Sequence, residues 1–204
     1  MAGKQLTAEA QQAPVPLPEL VGRVAVLGGV AGDKTALLVG LALRQVRQQG
    51  IVLCLDGRRQ RQTEVQFRLL LRGNSSYISL PATGEVPIAV AHTALSVVSR
   101  SLTSAVGRPP LLLLDSVHET LEWEKPLTFL LNAGAVVVEL LPSPAALLFG
   151  RYDTVLLLRA NTTVAEACSR AVGRKVSTAD LVSLQAGEGV LIHLARMQRV
   201  VLPQ

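Results

Sequence analysis

Short runs of uninterrupted aliphatic residues constrain this chain more than any other feature. They are Arg23-Val24-Ala25-Val26-Leu27, Ile51-Val52-Leu53-Cys54-Leu55, Pro110-Leu111-Leu112-Leu113-Leu114-Asp115, Ala135-Val136-Val137-Val138 and Thr154-Val155-Leu156-Leu157-Leu158-Arg159. Each is strand-length, and a strand apolar at every position needs cover on both faces. The stretches between them read as helices over Lys34–Gln49, Gln60–Leu71, Ile88–Val106, Leu121–Asn132 and Val164–Val172, the fourth stopping at Gly134. Strands alternating with helices predict an α/β fold, a mainly parallel sheet with helices on both faces. Tyr77–Leu80 adds a short strand, and Val190–Leu194 with Arg199–Leu202 reads as a C-terminal hairpin. Met1–Leu20 carries Pro14, Pro16 and Pro18 and is expected to be an irregular arm, with 21–204 as a single domain.

The first aliphatic run leads straight into Gly28-Gly29-Val30-Ala31-Gly32-Asp33-Lys34-Thr35. The phosphate-binding pattern is G-x-x-x-x-G-K-[ST], and Gly28, Lys34 and Thr35 sit at its spacing. A strand, a glycine loop and a helix start aim backbone N–H groups and the positive helix end at a phosphate. On this reading Gly28, Gly29 and Gly32 form the loop and Lys34 reaches the β- and γ-phosphates of ATP. The Thr35 hydroxyl holds Mg²⁺. Asp33 departs from the pattern, standing where the second glycine belongs. A carboxylate about 5 Å from a phosphate charge, at an effective dielectric near 20, costs roughly 3 kcal/mol per unit charge. Asp33 also lies where it can accept hydrogen bonds from the helix's own free N–H groups and compete with the ligand.

A nucleotide site of this kind needs an acid at the end of a neighbouring strand, to hold the water shell of Mg²⁺. Leu111-Leu112-Leu113-Leu114-Asp115 has that form, so Asp115 is the candidate metal and catalytic acid. The next residue is Ser116, where a water-activating glutamate is expected. Glu119 is the candidate substitute base.

Beyond these motifs the chain resembles the HerA/FtsK superfamily of DNA-pumping ATPases, which includes the conjugation ATPases of type IV secretion. The resemblance rests on Glu139-Leu140-Leu141-Pro142-Ser143, on Tyr152–Arg159 leading into a helix that ends at Gly173, and on Leu181-Val182-Ser183-Leu184-Gln185-Ala186-Gly187-Glu188-Gly189 before the closing hairpin. It implies a RecA-like P-loop NTPase fold over about residues 21 to 203. It also implies a γ-phosphate-sensing glutamine, and Leu140 stands in that place. With Asp33 and Ser116, three positions tied to hydrolysis are altered, while Lys34, Thr35 and Asp115 remain. The expectation is a degenerate ATPase-like protein that binds nucleotide weakly or serves as a structural component of a DNA-handling assembly. An active ATP-hydrolysing DNA translocase and a RecA-like recombination accessory protein remain the alternatives.

Composition bears on partners. The chain of 204 residues is 49% hydrophobic and 3% aromatic, with a net charge of +5. Its 20 basic residues divide into 16 Arg and 4 Lys. Arginine suits bidentate contact with phosphates and carboxylates. Arg58, Arg59, Arg61, Arg68 and Arg72 follow the second strand and fit a DNA-contacting face, a subunit or partner interface, or a solvated surface. No apolar run has transmembrane length and the N-terminus lacks an apolar stretch, so no membrane partner is expected. Cys54 and Cys168 lie far apart and read as buried thiols of a reducing compartment, with the cytoplasm as the expected location.

Overall fold

The computed structural model describes residues 13–29, 31–57, 61–71, 75–79, 96, 108–117, 121–194 and 196–203. Its strands are β1 (Val15–Pro16), β2 (Arg23–Gly28), β3 (Val52–Asp56), β4 (Ser76–Ser79), β5 (Leu111–Asp115), β6 (Val136–Leu140), β7 (Thr154–Leu158), β8 (Glu188–His193) and β9 (Arg196–Val201). The α-helices with described bounds are α1 (Ala31–Arg47), α2 (Arg61–Leu70), α3 (Leu121–Asn132), α4 (Thr162–Ala171) and α5 (Thr178–Val182). The strands form one sheet in the order β1-β9-β8-β7-β2-β6-β5-β3-β4. Only the β7–β8 and β8–β9 pairs run antiparallel.

The alternation of side chains along each central strand divides the core. Val24, Val26, Cys54, Leu113, Val138 and Leu156 pack on one face with Leu37, Leu38 and Leu41 of α1 and Phe67 of α2. Ala25, Leu27, Val155 and Leu157 point the other way, against Ala165 and Cys168 of α4 and Leu181 of α5. Leu53, Leu55, Leu112 and Val137 share that second face with Leu127 and Leu130 of α3. Period-2 geometry explains why these strands are apolar throughout: every residue has a helix above or below it. Both cysteines are buried free thiols. Burial pushes the Cys54 thiol well up, reinforced by Asp56 and Asp115.

Several expectations shift in detail. The helix after the glycines begins at Ala31, three residues before Lys34. Ala31 and an acidic first turn favour that early start. The arm is not irregular throughout. Val15–Pro16 adds a parallel edge strand to β9, and Leu17 N–H donates to the Val201 carbonyl at 2.9 Å. Leu17 and Leu20 are buried, and the Arg44 guanidinium donates to the Leu17 and Pro18 carbonyls. The open edge of β9 supplies the backbone groups, and an edge is where proline is tolerated. The hairpin turn falls earlier than expected, with β8 ending at His193 and β9 starting at Arg196. α5 was not anticipated, although a capping box between Ser177 and Asp180 marks its start. The helix expected over 88–106 lies outside the described residues apart from helical Ser96. Among the described residues, no helix is long and apolar enough to cross a membrane.

Candidate functional site

The carboxyl ends of β7, β2, β6, β5 and β3 line up along one edge of the sheet, where open α/β sheets bind ligands. Backbone bonds stitch the turns on that edge together. Gly29 N–H donates to the Arg159 carbonyl at 3.0 Å, and Leu141 N–H to the Val26 carbonyl at 3.0 Å. Ser116 N–H reaches the Leu140 carbonyl at 3.2 Å, and Gly57 N–H the Asp115 carbonyl at 2.8 Å. Gly28 and Gly29 have φ of 76° and 77°, the left-handed region that glycine enters without strain. A Cβ on Gly28 would stand 2.8 Å from the Leu158 carbonyl oxygen, so the glycine also permits the close approach of loop and β7.

Lys34 and Thr35 lie in the first turns of α1, over this edge. Lys34 is buried, and its Cγ lies 3.3 Å from where a Cβ on Gly29 would stand, so its stem crosses the loop. Burial pushes the Cys168 thiol up, while the Lys34 ammonium pulls it the other way. Gly32 sits in the first turn, with open space where its side chain would be. Asp33 shares that turn. Its carboxylate does not cap the helix with an observed bond but faces Arg159, whose Nη2 donates to both oxygens at 3.5 and 3.4 Å. An arginine against the carboxylate offsets the repulsion that the sequence assigned to Asp33.

Asp115 ends β5, and its register partner at the end of β3 is Asp56. Both carboxylates are buried. Neighbouring strands lie about 4.8 Å apart, so two acids stand side by side on the face that α1 covers. The Tyr77 hydroxyl donates to Asp56, and the Ser116 hydroxyl donates to Asp115 Oδ1 at 3.1 Å. Burial and then the bond to Asp56 drive the Tyr77 hydroxyl's pKa upward. Asp56 was missed as a site residue. Its signal was present, since Val52-Leu53-Cys54-Leu55-Asp56 repeats the aliphatic-run-then-Asp form of Leu111–Asp115. No cluster of three or more metal-ligating His, Cys, Asp or Glu side chains occurs among the described residues. A pair of carboxylates fits Mg²⁺, which is held through one or two acids plus substrate phosphates rather than in an all-protein cage.

β6 is inserted between β2 and β5, and its last residue, Leu140, pairs with both Val26 and Asp115. Leu140 therefore occupies the middle of the edge as a buried, apolar side chain. Ser116 has φ of 53° and its hydroxyl is committed to Asp115. Neither side chain can take a proton from water. Glu119, Arg58, Arg59 and Arg72 lie outside the described residues. Arg61 opens α2, and Arg68 on that helix is exposed and paired with Glu64 at 2.6 Å.

No protein-family model and no curated protein sequence matches this chain. Solved structures do match in fold. B204, the DNA-packaging ATPase from Sulfolobus Turreted Icosahedral Virus, superposes with a TM-score of 0.67 at 8% identity, over 90% of this chain and 98% of that one. The genome packaging NTPase B204 from Sulfolobus turreted icosahedral virus 2, in complex with AMPPCP, gives 0.60 at 10% identity, over 89% and 98%. VirB4 of Thermoanaerobacter pseudethanolicus gives 0.56 at 10% identity, over 94% and 98%. At such identities the likeness is one of fold: the chain has the RecA-like P-loop NTPase architecture, a mostly parallel sheet between helices, closed by the β8–β9 hairpin.

Proposed function

We propose that this chain, built on the fold of the packaging NTPases and VirB4, is a degenerate HerA/FtsK-type protein that binds ATP with Mg²⁺, hydrolyses it poorly or not at all, and serves as one component of a DNA-handling assembly. One observation carries the reading. The edge brings together the glycine turn, Lys34, Thr35 and a pair of buried carboxylates, with Ser116 and Leu140 beside them at the positions where the resemblance implies a base and a sensor.

The proposed division of labour follows from chemistry. Gly28, Gly29 and Gly32 let the backbone come close to an anion. Lys34 neutralises phosphate charge as a compact cation. Thr35 supplies a hydroxyl, and Asp115 with Asp56 supplies the carboxylates that would hold Mg²⁺. The metal's contribution when bound is to neutralise phosphate charge. With Leu140 and Ser116 unable to orient or deprotonate water, general-base catalysis, ordinarily worth about 10²–10⁴-fold, is absent from these positions.

Thermal unfolding with and without ATP·Mg²⁺, run beside a phosphate-release assay, tests this. At a hundredfold excess over Kd, binding stabilises by about 2.7 kcal/mol, or roughly 5–10 °C in Tm for a chain of this size. The expected result is a shift without phosphate release, and Lys34→Ala removes the shift. Phosphate release abolished by Lys34→Ala would instead establish an active ATPase, with Glu119 as the first base to replace. No shift at millimolar ATP would leave a structural role only.

The DNA partner is proposed on the arginines around α2. Each phosphate contact adds about −0.9 to the slope of log K against log salt for duplex DNA. Arg68→Ala is expected to make that slope shallower by about one unit if Arg68 exchanges Glu64 for phosphate. Affinity that does not change with salt would exclude backbone contact.

A further inference from the structure

We propose that Arg159 is itself a phosphate-binding residue of this site, held in reserve by Asp33, whose carboxylate acts as a built-in stand-in for the phosphate and is displaced when nucleotide enters. The proposal rests on the nucleotide-binding reading above and adds a residue that the phosphate-loop pattern does not include.

Position comes first. Arg159 follows β7, the strand directly beside β2, and its carbonyl accepts from Gly29 N–H at 3.0 Å. Its backbone is therefore pinned to the glycine turn. From there the side chain reaches the first turn of α1, one residue before Lys34, where an incoming phosphate would also lie.

The quality of the contact comes second. Charge-assisted N–H···O bonds settle near 2.7–2.9 Å and are often bidentate for arginine. Elsewhere in this chain such pairs are shorter still: Arg199 to Glu188 is 2.6 Å and Arg23 to Glu139 is 2.5 Å. Between Arg159 and Asp33 a single nitrogen, Nη2, is shared over two oxygens at 3.4 and 3.5 Å. Arg159 keeps 39% side-chain exposure and Asp33 16%. A long, partly solvated pair is worth little and exchanges readily. A triphosphate offers more charge and more acceptor oxygens than one carboxylate, so it is the stronger partner for the guanidinium fork.

Charge balance comes third. Opposite Arg159 the Asp33 carboxylate is compensated without ligand. Once the guanidinium turns to phosphate, Asp33 is left facing an anion. Nucleotide affinity is thus held down by the repulsion between phosphate and that uncompensated carboxylate, the pair itself being cheap to separate.

The test is binding of a fluorescent ATP analogue, followed by anisotropy in Mg²⁺, to the full chain and its Asp33→Asn, Arg159→Ala and Asp33→Asn/Arg159→Ala variants. Asp33→Asn is expected to tighten binding by about tenfold or more, the scale of one charge-assisted bond. Adding Arg159→Ala to Asp33→Asn should remove most of that gain. Arg159→Lys in the same background should keep part of it, since lysine retains the charge without the fork. Melting curves without nucleotide should be nearly superimposable, because the pair is exposed enough to contribute little. Equal affinity of Asp33→Asn with and without Arg159 would overturn the proposal while leaving the nucleotide site standing. Failure of all these proteins to bind would overturn both.

Discussion

Glu139→Leu, made alone, is expected to cost about 3–5 kcal/mol of stability, because it strips the buried Arg23 Nε of the carboxylate it donates to and leaves that charge under-compensated. The two side chains are 4% and 5% exposed, and Arg23 Nε donates to Glu139 Oε1 at 2.5 Å. Tyr152 donates its hydroxyl to the second carboxylate oxygen at 3.0 Å, and its ring lies 5.1 Å from the guanidinium. Arg23 Nη1 reaches out to Glu124 on α3 at 3.0 Å. This cluster fills the second face of the sheet between the apolar patch under α3 and the patch under α4 and α5. Burial pushes the Glu139 carboxyl above its ordinary range, against the opposing pull of Arg23. The same burial pushes the Tyr152 hydroxyl up, reinforced by Glu139. A solvation cost of this kind is offset only while every partner is present. Urea midpoints measure it, and the double variant Glu139→Leu/Arg23→Met should recover most of the loss, since removing both charges together is often neutral or stabilising. A single variant that loses less than about 1 kcal/mol would show the cluster to be solvated.

Phe67→Ala is expected to cost about 3–5 kcal/mol as well, for a different reason. Phe67 is 0% exposed and is the aromatic anchor that fastens α2 to the sheet. Its ring stacks on Tyr77 with centroids 5.5 Å apart. Tyr77 in turn holds Asp56, so the cavity would loosen one of the two acids at the candidate site. Leu69 on the same helix is 74% exposed, and Leu69→Ala should stay within about 0.5 kcal/mol. Comparing the two by chemical denaturation separates loss of packing from any change in helix propensity, since both positions become alanine. Equal small effects would mean that α2 is not anchored through Phe67.

Much of this architecture was legible in the chain itself. Val24–Leu27, Leu111–Leu114 and Val155–Leu158 became central strands because a run without polar residues leaves no face for water. α3 matches the expected Leu121–Asn132, closed by Gly134 at φ 85°, where a left-handed residue lets the chain leave the helix. The glycine turn with Lys34 and Thr35 was legible because its spacing encodes a local shape, and Asp115 because its own strand is an aliphatic run that ends in an acid. The start of α1 was misplaced because Gly32 and Asp33 read as loop, whereas in place they belong to the helix's first turn, after the left-handed turn at Gly28 and Gly29. Val15–Pro16 was hidden by its prolines, which exclude a central strand but not an edge.

Local pattern thus determined which segments are strands, which are helices, and that the strands lie between two layers. Tertiary structure alone decided the order of the sheet, and with it the pairings of charge: Asp56 beside Asp115 and Arg159 on Asp33 at the candidate site, and Glu139 between Arg23 and Tyr152 on the second face. The reason is physical. Periodicity reports how each segment meets water, a property of neighbouring residues, while several aliphatic strands of similar length are nearly interchangeable as partners. Their order is settled by pairings between residues distant in the chain, such as Asp56 with Asp115 and Val26 with Leu140, and no local pattern records those.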